Sequence, residues 1–233
     1  EERKATQVLV EELPKHRFHY NINKRLFYYI PITKWSDYYT PEFHKKIRDI
    51  RGRINKARRN GYELTHEIIT HGIDKYLDEF TTHYNRRRDL KSEKSSLKDS
   101  RHFNFIREIL PYYENKNLIK LSLLKDQNNE IWAYQLDLAD PEKGIWYHYM
   151  PTFNEKLSEF SPSKILFLFV LEHIFKQTDF KELNFMRGES HYKTQFTDTY
   201  KNFVNIEIKN NLSIRILGTK LAAKSLNLFG GHS

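Results

Sequence analysis

Residues 161–178 constrain the fold more than any other stretch of the chain. Ser161 suits the N-cap of a helix and Pro162 its first turn. The run 165–171 is apolar without interruption, and apolar residues cover every face of the predicted helix. Such a helix must be buried. Strands are predicted on both sides of it, at 145–150 and 183–186, so its first turn lies beside the end of a strand. Unpaired amides at a helix start favour an anion such as a phosphate, which makes residues 161–164 the expected place for the phosphates of an acyl carrier.

The remaining pattern predicts an α+β domain. Residues 62–68 alternate as a strand, and Ile73, Tyr76, Leu77, Phe80 and Tyr84 follow at helical spacing, with Arg86, Arg87 and Arg88 near that helix's end. Residues 91–100, rich in Ser and Lys, read as a loop. Phe103, Ile106, Ile109, Leu110 and Tyr113 mark a second helix. Strands at 118–124, 131–138 and 145–150, joined by turns at 126–129 and 140–144, form an antiparallel meander. After the buried helix come the strand at 183–186, a helical turn at 192–196, a hairpin of 203–208 with 212–216, and a helix beyond Gly218. Upstream, 8–10 and 26–30 read as short strands, with a helix starting near Trp35.

The chain has 233 residues, of which 39% are hydrophobic and 15% aromatic, enough for a sizeable core. It contains no cysteine, which excludes disulfides, thiolate metal sites and a cysteine nucleophile. No apolar run approaches the roughly 20 residues of a membrane span, and a cytoplasmic location is expected. The first residue is Glu1 rather than Met, as in a processed or excerpted sequence.

The basic charge is local. Of a formal net charge of +9, the segment 44–59 carries +7. Phe43, Ile47, Ile50, Ile54 and Ala57 recur there at spacings of 4, 3, 4 and 3, which places an apolar stripe along a basic amphipathic helix. That helix reads either as a track for phosphates or as a solvated face on a connecting helix.

Four segments carry a family resemblance: 48–61 (RDIRGRINKARRNG), 83–87 (HYNRR), 150–164 (MPTFNEKLSEFSPSK) and 183–196 (LNFMRGESHYKTQF). With the element order, they resemble the GCN5-related N-acetyltransferase (GNAT) superfamily. More closely, they resemble the CelD-like acetyltransferases associated with cellulose and exopolysaccharide biosynthesis, which are similar to Fem-type aminoacyltransferases. The resemblance implies a GNAT fold over 61–217, with 1–60 as an extension or the remnant of an upstream GNAT-like half and 218–233 as a C-terminal tail.

It implies acetyl-CoA or another acyl-CoA as co-substrate, held by the strand ending at Tyr149 and Met150 and by the helix start Ser161, Pro162, Ser163 and Lys164. The acceptor would be an amine or hydroxyl of a sugar, glycan or small molecule, with His83, Arg86 and Arg87 on its side. Proton transfer falls to the tail of the next strand. Tyr192 would be acid or thioester-side hydrogen bonder, Lys193 a charge or substrate anchor, and Glu189 or His191 the base. Two other functions fit the pattern: a Fem-like transferase using charged tRNA, with the basic helix on RNA, and an inactive interaction module.

Three signals are set aside. Residues 161–164 spell S-x-x-K without the companion motifs of a serine acylase. The eleven histidines show no paired metal-ligand spacing, so no metal is expected, and His148 and His173 read as packing residues. Asn211-Leu212-Ser213 is a glycosylation acceptor only in a secreted protein.

Overall fold

In the computed structural model, the described residues are 8, 11–12, 19–176, 179–188 and 190–209. The elements in chain order are β1 (His19–Pro31), α1 (Trp35–Tyr38), α2 (Pro41–Arg59), β2 (Thr65–Ile69), α3 (Asp74–Leu90), α4 (Ser100–Asn115) and β3 (Ile119–Lys125). There follow β4 (Ile131–Asp140), β5 (Ile145–Phe153), α5 (Pro162–Lys176), β6 (Glu182–Arg187), α6 (His191–Thr194) and β7 (Tyr200–Lys209). The strands hydrogen-bond in the order β2-β3-β4-β5-β6-β1-β7. The expected α+β architecture is present, with β3 to β5 as the antiparallel meander, β2 antiparallel beside β3, and β5-β6 as a parallel pair.

Residues Phe27–Lys201 form one compact unit, and Glu1–Leu26 with Asn202–Ser233 form another. The larger unit takes in α2, which the sequence reading set apart with the extension. Its sheet separates two cores. One gathers Ile47, Ile50 and Ala57 of α2, Trp132, Trp146 and most of α5. The other gathers Leu77 and Phe80 of α3, Leu110 of α4, and Leu121, Leu123 and Tyr134 of the sheet. The apolar stripe of α2 is thus a core face, while Lys45, Arg48, Arg58 and Arg59 are exposed. In the smaller unit the described residues include the outer parts of β1 and β7, and Val8 is helical rather than extended. The hairpin partner expected at 212–216 and the helix after Gly218 lie outside the described residues.

A 3-10 helix, Glu155–Phe160, fills the gap between β5 and α5 and has no counterpart in the sequence reading. Asn154 caps it, its Oδ1 accepting from the Lys156 amide at 3.2 Å. Gly144, with φ +68°, closes the turn into β5, and its carbonyl accepts from the amides of Lys181 (2.7 Å) and Glu182 (3.2 Å). A Cβ there would stand 2.9 Å from the Asp179 carbonyl oxygen. Gly144→Ala is expected to cost about 1–2 kcal/mol from left-handed strain alone, read as a lowered urea midpoint.

Candidate active site at the fork between β5 and β6

The two central strands pair only where Ile145, Trp146 and Tyr147 face Glu182, Leu183 and Asn184. Beyond that point they part. β5 continues to Phe153 against β4, while β6 turns away through Met186 (φ +61°) and Gly188 (φ +98°). The fork opens into a cavity of about 550 Å³, walled by β5 from His148 to Pro151, the end of β6, and the last turns of α3.

Six of the sequence-predicted residues line this cavity: Tyr149, Met150, Ser163, Tyr192, Lys193 and Arg87. Lys164 and His191 instead border a second cavity of about 420 Å³, shared with Lys45 and Lys46 of α2. Pro162 is buried. Glu189 lies outside the described residues. His83 turns inward from its helix, its ring 5.8 Å from that of Tyr134 and its Nε2 3.8 Å from Glu79. Arg86 is exposed. Of the three residues expected on the acceptor side, Arg87 alone reaches the fork.

The start of α5 corrects one expectation. Ser161 is not an extended N-cap; it sits in the left-handed region (φ +54°) and ends the preceding 3-10 helix. The amides of Lys164 and Ile165 both return to its carbonyl, at 2.9 and 3.3 Å, and Pro162 has no amide hydrogen. Among the described residues this leaves the Ser163 amide as the first-turn donor without an internal acceptor. The backbone donors at this helix start are therefore fewer than the sequence suggested, and the nearby cations Lys164, Lys45 and Lys46 line the second cavity.

Lys193 sends its ammonium to three carbonyls in succession, those of Met186 (3.2 Å), Arg187 (2.9 Å) and Gly188 (2.7 Å). An ammonium has three donors, so this arrangement clamps the curled end of β6 and leaves none for a substrate. Burial lowers its pKa. Arg87 lies with its guanidinium 4.5 Å from the centre of the Phe153 ring, and burial lowers its pKa as well, against the opposing charge of Glu155. Arg88 is held by the Tyr84 hydroxyl at 2.9 Å and by Glu93.

Tyr192 is packed among Phe196, Phe167 and Phe185, with ring centres 5.3, 6.0 and 6.2 Å away. Burial, and then the negative charge of Asp137, raise its pKa well above the usual phenol range. Its hydroxyl is 3.5 Å from Nε2 of His148. Behind that ring, Nδ1 of His148 is 3.5 Å from Oδ1 of Asp137. Asp137 is fully buried and accepts from Gln135 Nε2 (2.6 Å), Trp146 Nε1 (2.8 Å) and the Tyr149 amide (3.2 Å). The last bond exists because the β4-β5 register slips between Leu136 and Asp137, leaving Tyr149 unmatched.

Sequence reasoning did not select Asp137, and it set His148 aside as packing. A signal was present: Gln135 and Asp137 alternate on one face of an otherwise apolar strand, and His148 falls between Trp146 and Met150 on the buried parity of the next. Among the described residues no cluster of three or more His, Asp or Glu is placed to hold a metal, and no helix is long and apolar enough to cross a membrane.

Comparison with known proteins agrees with this architecture. Residues 44–194 match the sequence profile described as acetyltransferase (GNAT) domain. No curated protein matches the chain. Among solved structures, the C-terminal domain (DUF2156) of a putative lysylphosphatidylglycerol synthetase from Agrobacterium fabrum superimposes with a TM-score of 0.55 at 12% identity, over 83% of this chain and 63% of that one. A conserved protein of unknown function from Bacteroides thetaiotaomicron gives 0.56 at 13%, over 86% and 66%. L-PGS from Bacillus licheniformis gives 0.52 at 14%, over 91% and 69%. At these identities the likeness is one of fold, and the chain spans about two thirds of each structure.

Proposed function

The chain belongs to the acetyltransferase (GNAT) domain family, and from that membership we propose that it transfers an acyl group from an acyl-CoA thioester to an amine or hydroxyl inside the fork. The observation that carries this reading is the parting of β5 from β6 beside the first turn of α5, with Tyr192 facing the gap. An extended pantetheine arm fits between two strands whose facing edges lack a partner. The thioester would then lie near Tyr192, and the phosphates near Ser163 and the cations of the second cavity. Attack by the acceptor breaks the carbon–sulfur bond, and the departing thiolate takes a proton. In keeping with the CelD-like resemblance, the acceptor we propose is a sugar, a glycan or a related small molecule.

Calorimetry with acetyl-CoA tests the donor. Ser163→Asp places a carboxylate where the phosphates would lie, and is expected to weaken binding at least tenfold, about 1.4 kcal/mol. Unchanged affinity would remove the donor from this place.

A second reading takes the acyl group from aminoacyl-tRNA, as Fem-type enzymes do. The exposed cations Lys45, Arg48, Arg58 and Arg59 favour it, and the fold is shared with a structure named as a putative lysylphosphatidylglycerol synthetase and with one named L-PGS. Charged-tRNA binding that falls steeply with salt, without acetyl-CoA binding, would decide for it.

A further inference from the structure

The acyl-transfer reading gives Tyr192 a place but leaves its proton without a destination. A phenol whose ionised form is disfavoured by burial is a poor store of charge, and it needs a neighbour that accepts its proton as it takes another. His148 stands at that position. It is 5% exposed, lines the fork with Tyr192, and its Nε2 lies 3.5 Å from the phenol oxygen. On its far side is the carboxylate of Asp137, out of contact with water. Carboxylates in such surroundings are kept with donors or opposite charge, and here the donors are neutral ones from Gln135, Trp146 and Tyr149. The neighbouring group able to become cationic is His148.

The walls around the imidazole are otherwise aromatic. Phe167 of α5 is 5.1 Å from its centre and Phe185 of β6 is 5.7 Å. Asp137 reaches it from β4 and Tyr192 from α6, while the charge of Arg87 on α3 acts on Tyr192. No cation among these contacts competes for Asp137. A proton on Nδ1 directed at Asp137 leaves Nε2 as an acceptor, and the Tyr192 hydroxyl then donates to Nε2 and turns its lone pairs toward the cavity.

We propose that Asp137, His148 and Tyr192 form a proton relay opening onto the fork, in which Tyr192 meets the acceptor and the other two act through it. This rests on the acyl-transfer reading for its use, though not for its geometry. As the acceptor's nitrogen or oxygen bonds to the acyl carbon, its proton passes to the Tyr192 oxygen, and the phenolic proton passes to Nε2 of His148. The resulting imidazolium is held by the Asp137 carboxylate. When the carbon–sulfur bond breaks, the proton returns by the same route to the thiolate, so the relay ends as it began. Tyr192 is the catalytic residue here, and His148 and Asp137 are positioning residues. The Tyr192–His148 bond, at 3.5 Å, is at the long limit, and Nδ1 of His148, 3.5 Å from Asp137, is buried and not yet in hydrogen-bonding geometry with it; such contacts commonly shorten when substrate fills a site.

Nitrogen-15 NMR of histidine-labelled protein tests the relay without any ligand. His148 is expected to show a protonated Nδ1 and an unprotonated Nε2; Tyr192→Phe should move the Nε2 resonance, and Asp137→Asn should shift the tautomer. The opposite tautomer in the unsubstituted protein, or an Nε2 resonance unmoved in Tyr192→Phe, would overturn the relay. Should Asp137→Asn fail to fold, those two readings decide. The kinetic arm measures acetohydroxamate formed from acetyl-CoA and hydroxylamine. Tyr192→Phe and His148→Ala are each expected to lower kcat about 100-fold while acetyl-CoA affinity stays within about threefold. Activity retained in both variants overturns the relay. No product from the unsubstituted protein counts against the acyl-CoA reading instead, and the tautomer then decides the relay alone.

Discussion

Phe167→Ala is expected to remove about 3–5 kcal/mol of unfolding free energy, the range for truncating a large buried aromatic. Phe167 is fully buried, and its ring is 4.6 Å from that of Phe196, 5.1 Å from His148 and 5.5 Å from Phe185. The ring fills space between α5 and the sheet where no backbone can close the gap, so the neighbours collapse only in part. Urea unfolding at constant slope measures the loss. A loss below about 1.5 kcal/mol would mean that the aromatic wall repacks, contrary to the close packing typical of such a core. The same ring backs His148 and Tyr192, so a stable residual fold of this variant should also show a changed His148 resonance.

Acid should weaken the protein through His66. This side chain lies under the ring of Phe169, its Nε2 is buried without a partner, and burial followed by repulsion from His173 lowers its pKa from 6.5 to about 4. The unfolded chain therefore binds the proton first as pH falls. Stability is complete above about pH 6.5, declines through the window from 6.5 to 4, and levels below it. The full shift corresponds to about 3 kcal/mol, and partial exposure reduces the expected loss to about 2 kcal/mol. Burial lowers the pKa of His173 as well, which adds in the same direction. Denaturant melts of the unsubstituted protein and of His66→Phe at pH 7 and pH 4.5 give the measurement. Equal slopes in the two proteins would show that His66 does not carry the effect.

What could be read from the residues follows the strength of local pattern. α5 was legible because an apolar surface on all faces leaves a helix one environment, and the meander because polar turns separate its strands. The conformation of Ser161 was not, since it depends on the 3-10 helix Glu155–Phe160, which shows no periodicity of its own. On α3 the information was present but unused. The buried stripe Ile73, Leu77, Phe80, Tyr84 advances by 4, 3 and 4 residues, and one more step of 3 selects Arg87 over Arg86. Lys193 was legible as important and illegible as to use, because its carbonyl partners are created by the positive φ angles at the end of β6. Asp137 and His148 meet only through a register slip between two strands, a property of the pair that neither segment reveals.

Each arm of the fork is braced from outside. Pro151, Thr152 and Phe153 of β5 stay in register with Gln135, Tyr134 and Ala133 of β4, and Arg187 at the tip of β6 faces Phe27 of β1. Neither arm can swing inward to zip the gap without tearing a ladder on its other flank, so the groove is held open in the absence of any guest. One brace is β1, which lies ahead of the residues shared with the acetyltransferase family. A chain cut back to the family's own limits would keep Asp137, His148 and Tyr192 and lose the splint that keeps one jaw in place.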